Sequence, residues 1–380
     1  MKKLKFTIKK ISISSKSINI KWGDGKLSYF HFLWLRDNCP SAIHPNARMR
    51  IFNLLNVSKN IYPINYLIDK KGDVILDWSE DNHQSTYTAK WLRENCYTIH
   101  NNNKYLSPYI LWDNNLTNKL NIITIEYQEV MDSDEGLLKW LKQLHHYGFS
   151  IVKNSPVEKK SALKILNRIS HIRETFFGSP FEVINIPNPN NTAYTADALR
   201  SHTDLPYYEY APGYQFLHCL VNSATGGMSS SVDGFAVANY LRDTKKNIFK
   251  LLIKTPIKFK DNNYTQDKIR IHHSPLISLN KDGDFNEIRF NMAAMGTLDI
   301  HNDLMEEYYL AYRMLAQLLN DPKFLVNFRL NVGDIFSFNN RRVLHGRTQF
   351  NPNSGHRHLQ GYYLDRDEIL SRLNYLKKIN

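Results

Sequence analysis

One triplet, His202-Thr203-Asp204, constrains the architecture of this 380-residue chain more than any other feature. On an extended segment, residues i and i+2 project to the same face, so the imidazole and the carboxylate would leave one strand side by side. Two side chains placed in this way can occupy adjacent positions on a metal ion. A strand with this triplet must then lie close to whichever distant segment supplies a third ligand.

The third ligand is predicted to be His345, in the sequence Asn-Asn-Arg-Arg-Val-Leu-His-Gly-Arg over positions 339–347. Two histidines and one carboxylate on a single face leave the opposite coordination positions open, an arrangement that suits non-haem Fe(II). The preceding segment, from Asn331 to Phe338, has the pattern of a turn followed by an alternating strand, and we expect this strand to deliver His345. Because an H-x-D triplet also occurs by chance in many proteins, the metal hypothesis depends on its context.

Arg357 provides part of that context. A guanidinium group is permanently charged and forms two parallel hydrogen bonds with a carboxylate. The alternative is an ordinary surface arginine on the last strand. We expect Arg357 to bind the distal carboxylate of an acidic co-substrate.

Composition excludes several other classes of protein. The chain has 49 basic and 36 acidic residues, a formal charge of +13, but its lysines are spread along the sequence, so no nucleic-acid partner is expected. Three cysteines are too few for a disulfide framework in a chain of this length, which indicates a reducing compartment. No stretch of about 18 apolar residues predicts a membrane span, and no apolar segment follows the basic start. We therefore expect a cytoplasmic protein without a membrane partner.

The hydrophobic pattern predicts a mainly β fold with flanking helices. Short alternating segments on both sides of Gly23-Asp-Gly25 open a small β-rich N-terminal domain, residues 1–105, and a linker leads to a larger domain, residues 122–380. In the larger domain, the spacing of leucines predicts a helix from Asp134 to His146, and a second amphipathic helix is predicted from Ser161 to Ile172.

The order of several motifs resembles the gamma-butyrobetaine dioxygenase and trimethyllysine dioxygenase family and, more distantly, taurine dioxygenase. The motifs are His202-Thr-Asp-Leu-Pro-Tyr-Tyr208, Pro212-Gly-Tyr-Gln-Phe-Leu-His-Cys219, Thr225-Gly-Gly227, Val232-Asp-Gly-Phe235, Asn340-Arg-Arg-Val-Leu-His-Gly-Arg347 and Arg357-His-Leu-Gln-Gly-Tyr-Tyr363. The resemblance covers nearly the whole chain. It implies a double-stranded β-helix (jelly-roll) catalytic domain, the cofactors Fe(II), 2-oxoglutarate and O2, and a homodimer.

The same resemblance implies roles for individual residues. Iron would be bound by His202, Asp204 and His345, and 2-oxoglutarate by Arg357 and, on spacing, the hydroxyl of Ser229. The substrate-binding residues would be Phe177, Phe181, Tyr194 and Tyr363, as an aromatic cage for a trimethylammonium group, and Asn191 at the carboxylate end. Ring faces attract a quaternary ammonium, although four core aromatics are the alternative interpretation. The carboxylate end departs from the family, since Leu205 replaces a tyrosine and Met292 an asparagine.

A structural zinc is typical of the N-terminal domain in this family, held by three cysteines and a histidine. In the matching segment, Leu35-Arg-Asp-Asn-Cys-Pro-Ser-Ala-Ile-His44, only Cys39 remains a cysteine, with Ser41 and His44 at the other two positions and His83 as the later histidine. A closed tetrahedral site needs four good ligands. Cys39, His44 and His83 are therefore weak zinc candidates, and we expect the zinc to be lost.

The functional hypothesis is Fe(II)- and 2-oxoglutarate-dependent hydroxylation of a small trimethylammonium compound, with gamma-butyrobetaine to carnitine, and hence carnitine biosynthesis, as the first choice. One alternative is a related oxygenase acting on another small amine, such as trimethyllysine, or on a phosphonate or sulfonate. The other is a β-barrel that senses a ligand without catalysis. The three predicted metal ligands and the predicted carboxylate-binding arginine argue against the last alternative, because a binding module needs none of them.

Overall fold

The computed structural model describes residues 6–80, 82–98, 108–185, 194–263 and 267–379. Two compact units divide the chain, Met1–Lys104 and Tyr105–Asn380. None of the described helices is both long enough and apolar enough to cross a membrane.

The N-terminal unit consists of two antiparallel sheets and two short helices. Its elements are β1 (Ile8–Ile13), β2 (Ser17–Trp22), β3 (Leu27–His31), α1 (Phe32–Asp37), β4 (Pro63–Ile68), β5 (Val74–Trp78), β6 (Gln84–Tyr87) and α2 (Ala89–Glu94). In the order of pairing, the sheets are β1-β2-β3 and β4-β5-β6. The alternating pattern of β2 buries Ile18, Ile20 and Trp22, and the indole of Trp22 donates to Ser28 Oγ at 2.6 Å. A polar partner satisfies this buried N–H group within an apolar core.

The larger unit is built on strands, with helices around them. Its strands are β7 (Thr124–Glu126), β8 (Phe149–Lys153), β9 (Phe181–Ile184), β10 (Leu199–His202), β11 (Tyr214–Asn222), β12 (Thr225–Gly226), β13 (Ser229–Asp233), β14 (Ile257–Asn263), β15 (Lys268–Ser274), β16 (Ile277–Leu279), β17 (Phe285–Ile288), β18 (Val326–Phe328), β19 (Ile335–Asn339), β20 (Val343–Arg347), β21 (Phe350–Asn351) and β22 (Arg357–Leu364). Its helices are α3 (Tyr127–Asp132), α4 (Asp134–Tyr147), α5 (Ala162–Leu166), α6 (Gly234–Thr244), α7 (Lys246–Lys254), α8 (Met305–Leu318) and α9 (Arg366–Ile379).

Two facing sheets form the body of the larger unit. Among the described residues, one sheet has the order β7-β8-β19-β11-β22-β9 and the other the order β10-β20-β13-β18. Phe328 of the second sheet packs edge-on against Phe336 of the first, with ring centroids 5.1 Å apart. Side chains that interdigitate between two sheets in this way are typical of a β-sandwich core. The fold is the predicted jelly-roll, mainly β with flanking helices.

The first predicted helix of this unit is confirmed, and the second is much shorter than predicted. Helix α4 begins after Ser133, whose hydroxyl accepts from the backbone N–H of Gly136, and it ends at Gly148, which has the left-handed φ of 80° that glycine tolerates best. The prediction of a helix from Ser161 to Ile172 was wrong, because α5 stops at Leu166. Beyond Leu166, the backbone N–H of Arg168 donates to the carbonyl of Ile165, which is a 3-10 and not an α-helical bond. The guanidinium of Arg168 donates to the carbonyl of Ser133, just before α4.

Candidate active site

Two histidines face each other across neighbouring strands of the smaller sheet. His202 ends β10, and the antiparallel register pairs it directly with His345 of β20. Directly opposed residues project to the same face of a sheet, so the two imidazole rings meet with their centroids 4.2 Å apart. The expected strand over 335–338 was the wrong one: it is β19 in the larger sheet, and a turn at 340–342 separates it from His345.

Asp204 lies just beyond the end of β10 and not on the strand itself, which corrects the prediction that it shares the strand with His202. Asn340 holds this short extension in place, since its amide oxygen accepts from the Asp204 N–H at 2.7 Å and its amide nitrogen donates to the Asp204 carbonyl at 3.0 Å. Leu205 follows with a φ of 55°, so the chain turns away immediately after the carboxylate. The extended conformation therefore ends at Asp204.

The three side chains place their ligand atoms within 4.8 Å of one another. Oδ1 of Asp204 lies 3.3 Å from His202 Nε2 and 3.7 Å from His345 Nε2. The Nδ1–H of His202 donates to the carbonyl of Arg200 at 2.9 Å, which turns Nε2 toward Asp204 and His345. Two imidazole nitrogens and one carboxylate oxygen that converge in this way fit a facial-triad metal such as Fe(II).

The electrostatics of Asp204 and His345 favour metal binding, whereas at His202 burial acts to lower the pKa but the hydrogen bond and charge of Asp204 raise it. Burial acts to raise the pKa of Asp204, but His345 and His202 together hold that pKa well below its usual range. Burial lowers the pKa of His345 to about 3, and the neighbouring His202 adds to the effect. The carboxylate is therefore ionised and the His345 imidazole neutral near pH 7, and these are the protonation states in which the two groups bind a metal.

A cavity of about 500 Å³ opens in front of this cluster and includes Arg357, Ser229 and the predicted metal ligands in its lining. Arg357 has no ion pair with another described residue, and its Nε has no hydrogen-bond partner in that part of the chain. Burial lowers the pKa of Arg357 to about 10, so the guanidinium remains charged near neutral pH. A Cβ on Gly227 would lie 3.4 Å from Arg357 Nε, so the glycine leaves room for this side chain. The cavity thus contains a cation available to a carboxylate.

The four aromatic side chains predicted for the cage all line this same cavity, as Phe177, Phe181, Tyr194 and Tyr363. Phe181 stacks against Tyr363 with centroids 4.9 Å apart and lies 6.1 Å from the ring of Phe177. Phe181 crosses Gly361 so closely that a Cβ there would be 2.0 Å from the ring. The rings of Phe177, Phe181 and Tyr363 form a continuous wall of the cavity. Tyr194 lines the same cavity from a separate segment of the chain. Asn191, predicted at the carboxylate end, lies outside the described residues.

Several residues of the cavity were not identified from the sequence. Gln215 is buried on β11 and its Oε1 has no hydrogen-bond partner in the described part of the chain. Its strand is buried on both faces, so the alternating pattern could not show which side chains face the cavity. Lys260 and Arg200 are exposed and also line the cavity. Lys260 reaches it because Phe259, the preceding residue, forms a bridge with Met295, a long-range contact that no local pattern signals.

In the N-terminal unit, two of the weak zinc candidates meet and the third does not join them. His83 Nε2 lies 3.4 Å from Cys39 Sγ and 3.2 Å from Ser41 Oγ. His44 instead uses its Nδ1 to accept backbone N–H groups of the turn that follows it. Within the described chain, the group of three that could hold a metal is the one formed by His202, Asp204 and His345.

Comparisons with known proteins agree with this geometry. Residues 112–363 match the family described as taurine catabolism dioxygenase TauD, TfdA family, and residues 9–93 match gamma-butyrobetaine hydroxylase-like, N-terminal. The chain is 37% identical to gamma-butyrobetaine dioxygenase of Pseudomonas sp. (strain AK-1), over 96% of this chain and 94% of that protein. It is 31% identical to the mitochondrial trimethyllysine dioxygenase of Homo sapiens, over 96% and 89% respectively.

Among solved structures, AAD-2 in complex with Mn(II) and N-oxalylglycine shares the fold with a TM-score of 0.51 and 11% identity, over 63% of this chain and 93% of that one. Fold, donor set and family matches together define a 2-oxoglutarate-dependent dioxygenase that uses Fe(II) and O2 and acts on a small molecule. The chain belongs to the TauD/TfdA dioxygenase family, and its N-terminal part belongs to the gamma-butyrobetaine hydroxylase-like group.

Proposed function

We propose that this dioxygenase hydroxylates gamma-butyrobetaine and thereby yields carnitine. The observation that supports this substrate most directly is the aromatic wall, because the rings of Phe177, Phe181, Tyr194 and Tyr363 line the cavity that contains the metal cluster. A quaternary ammonium cannot donate a hydrogen bond and is held by the negative faces of aromatic rings. The relatives at 37% and 31% identity are named for gamma-butyrobetaine and trimethyllysine, both of which contain a trimethylammonium group.

The opposite end of the substrate is an acid, and the cavity offers cations for it. The exposed side chains of Lys260 and Arg200 line the cavity and form no ion pair with another described residue. An ammonium or guanidinium at this position compensates for the hydrogen bonds that Leu205 and Met292 cannot donate. Charge attraction is less directional than a hydrogen bond, so we expect the acid group and the chain length to be discriminated only weakly.

In the proposed reaction, His202, Asp204 and His345 hold Fe(II), which when bound couples the oxidative decarboxylation of 2-oxoglutarate to attack on a substrate C–H bond. Arg357 binds the distal carboxylate of 2-oxoglutarate, and the hydroxyl of Ser229 lies on the same cavity wall. The aromatic wall orients the substrate by its cationic end. What the chain contributes is position and exclusion of water.

The compartment and the assembly belong to the same proposal. All three cysteines are free and buried, which supports a cytoplasmic protein in a reducing environment. A homodimer is proposed from the family resemblance alone. Light scattering coupled to size-exclusion chromatography measures the mass of the particle, and a monomer would contradict the dimer.

The test of the substrate compares kcat/KM for gamma-butyrobetaine, its neutral tert-butyl isostere and a trimethylammonium phosphonate. Loss of the charge should cost roughly 1 to 2 kcal/mol, or about 5-fold to 30-fold in kcat/KM. The phosphonate should react within about tenfold of gamma-butyrobetaine, because one weak contact discriminates little more than that. Equal values for the charged and neutral compounds would contradict the cage. Turnover of trimethyllysine but not of gamma-butyrobetaine would identify trimethyllysine as the substrate.

A further inference from the structure

The two oxygens of the Asp204 carboxylate have different surroundings. Oδ1 lies 3.3 Å from His202 Nε2 and 3.7 Å from His345 Nε2, so it is the oxygen that faces the metal position. Oδ2 accepts a hydrogen bond from the phenolic hydroxyl of Tyr363 at 2.6 Å. The aromatic residue predicted for the substrate wall is therefore also in contact with a predicted metal ligand.

Asn340 holds the backbone of Asp204 and not its carboxylate. Asn340 bonds to both the N–H and the carbonyl of Asp204 and ties the same amide to the carbonyl of Pro212. A carboxylate attached to a fixed backbone still rotates, because its terminal torsion has a broad and roughly two-fold profile. Oδ1 of this carboxylate faces the two imidazoles, and the Tyr363 hydroxyl donates to Oδ2.

We infer that Tyr363 is a positioning residue for the metal centre: its hydroxyl engages Oδ2 of Asp204, so that the carboxylate binds the metal through Oδ1 alone. A carboxylate free to rotate can bind a metal with both oxygens and take up a second coordination position. In the proposed reaction that position would be needed by 2-oxoglutarate or O2. The inference rests on the metal site of the proposed function and not on the identity of the substrate.

The ring and the hydroxyl of Tyr363 can be separated experimentally. The ring stacks on Phe181 and fills the cavity wall, whereas the hydroxyl reaches Asp204. Phenylalanine at this position keeps the ring and the packing and removes only the hydrogen bond. The hypothesis of a purely structural or cage residue predicts that Tyr363→Phe leaves metal binding unchanged.

The test measures Co(II) binding to the metal-free full-length protein, by titration and by the visible absorption spectrum of the bound ion, without substrate. For Tyr363→Phe we expect the dissociation constant for Co(II) to rise about 10-fold to 100-fold, the usual effect of losing a hydrogen bond to a ligating group. We also expect a changed Co(II) spectrum, because the number of bound oxygens changes.

The matched control is Tyr362→Phe. Tyr362 directly precedes Tyr363 on the same strand, is equally buried, and donates its hydroxyl to Gln360 Oε1 at 3.1 Å. Because successive residues of a strand project to opposite faces, this hydroxyl points away from Asp204. This variant should bind Co(II) with wild-type affinity and spectrum. Wild-type affinity and spectrum in Tyr363→Phe would overturn the inference, and so would an equal loss of affinity in both variants. Because no substrate is present, failure of the proposed substrate would leave this result unaffected.

Discussion

Replacing Arg357 by alanine tests the assignment of the co-substrate site. Its guanidinium lines the cavity and has no ion pair with any other described residue, so it is available to the carboxylate of 2-oxoglutarate. Removing one partner of a buried ion pair costs about 3 to 5 kcal/mol, and the partial exposure of Arg357 reduces this to about 2 to 4 kcal/mol. The expected rise in KM for 2-oxoglutarate is therefore roughly 30-fold to 700-fold.

The assay measures succinate formation over a range of 2-oxoglutarate concentrations at saturating Fe(II). Arg357→Lys is the graded control, because it keeps the charge and loses the forked geometry, and its KM should lie between those of wild type and Arg357→Ala. The Co(II) affinity of the metal-free protein should be the same in all three, since Arg357 is not a metal ligand. An unchanged KM in Arg357→Ala would refute the reasoning and place the carboxylate of 2-oxoglutarate elsewhere.

Four further predictions concern other parts of the chain. Asp204→Ala should abolish turnover without unfolding the protein, as should alanine at either histidine of the triad, and activity of Asp204→Ala at saturating iron would exclude the triad. Protein purified from zinc-replete medium should contain less than one zinc per chain by metal analysis, because Ser41 replaces a thiolate; stoichiometric zinc that disappears in His83→Ala would show the opposite. Lys260→Gln should raise the KM for gamma-butyrobetaine by about twofold to fivefold, the effect of losing a solvent-exposed ion pair, and should leave the KM for 2-oxoglutarate unchanged. An equal rise in the two KM values would exclude Lys260 from the substrate site. Burial lowers the pKa of His218 from 6.5 to about 4, so its contribution to stability is complete above pH 6.5 and is lost as the pH falls toward 4. The free energy of unfolding should therefore drop by about 2 kcal/mol more between pH 8 and pH 5 in wild type than in His218→Gln. Equal drops in the two proteins would disprove this.

Short-range chemistry made the metal ligands predictable. An imidazole and a carboxylate two residues apart fit a metal site when other motifs support it, and the motif around His345 gave the partner. Their exact placement did not follow from the local pattern. Asp204 lies beyond the end of its strand because Asn340, 136 residues away in sequence, takes over the backbone hydrogen bonds of that residue. Contacts at such separation leave no periodic signal.

Helix and strand limits failed where tertiary contacts outweighed local preference. Helix α5 ends at Leu166, and two residues later the guanidinium of Arg168 bonds to the carbonyls of Val130 and Ser133, a use of the side chain that amphipathic spacing cannot predict. Lys260 was missed for a related reason, since its hairpin is tied to a distant loop by long-range contacts such as the bridge between Phe259 and Met295. The sequence likewise could not predict that Tyr363 makes two contacts, one between its ring and Phe181 and one between its hydroxyl and Asp204.

The most direct test of the central claim is mass spectrometry of a reaction run with purified protein, Fe(II), 2-oxoglutarate and gamma-butyrobetaine under isotopically labelled O2. A 2-oxoglutarate-dependent dioxygenase acting on this substrate places one labelled oxygen in the hydroxylated product and the other in succinate. The account predicts both labelled products in equal amounts. Succinate at the rate seen without substrate, with no labelled hydroxylation product from gamma-butyrobetaine, would contradict it.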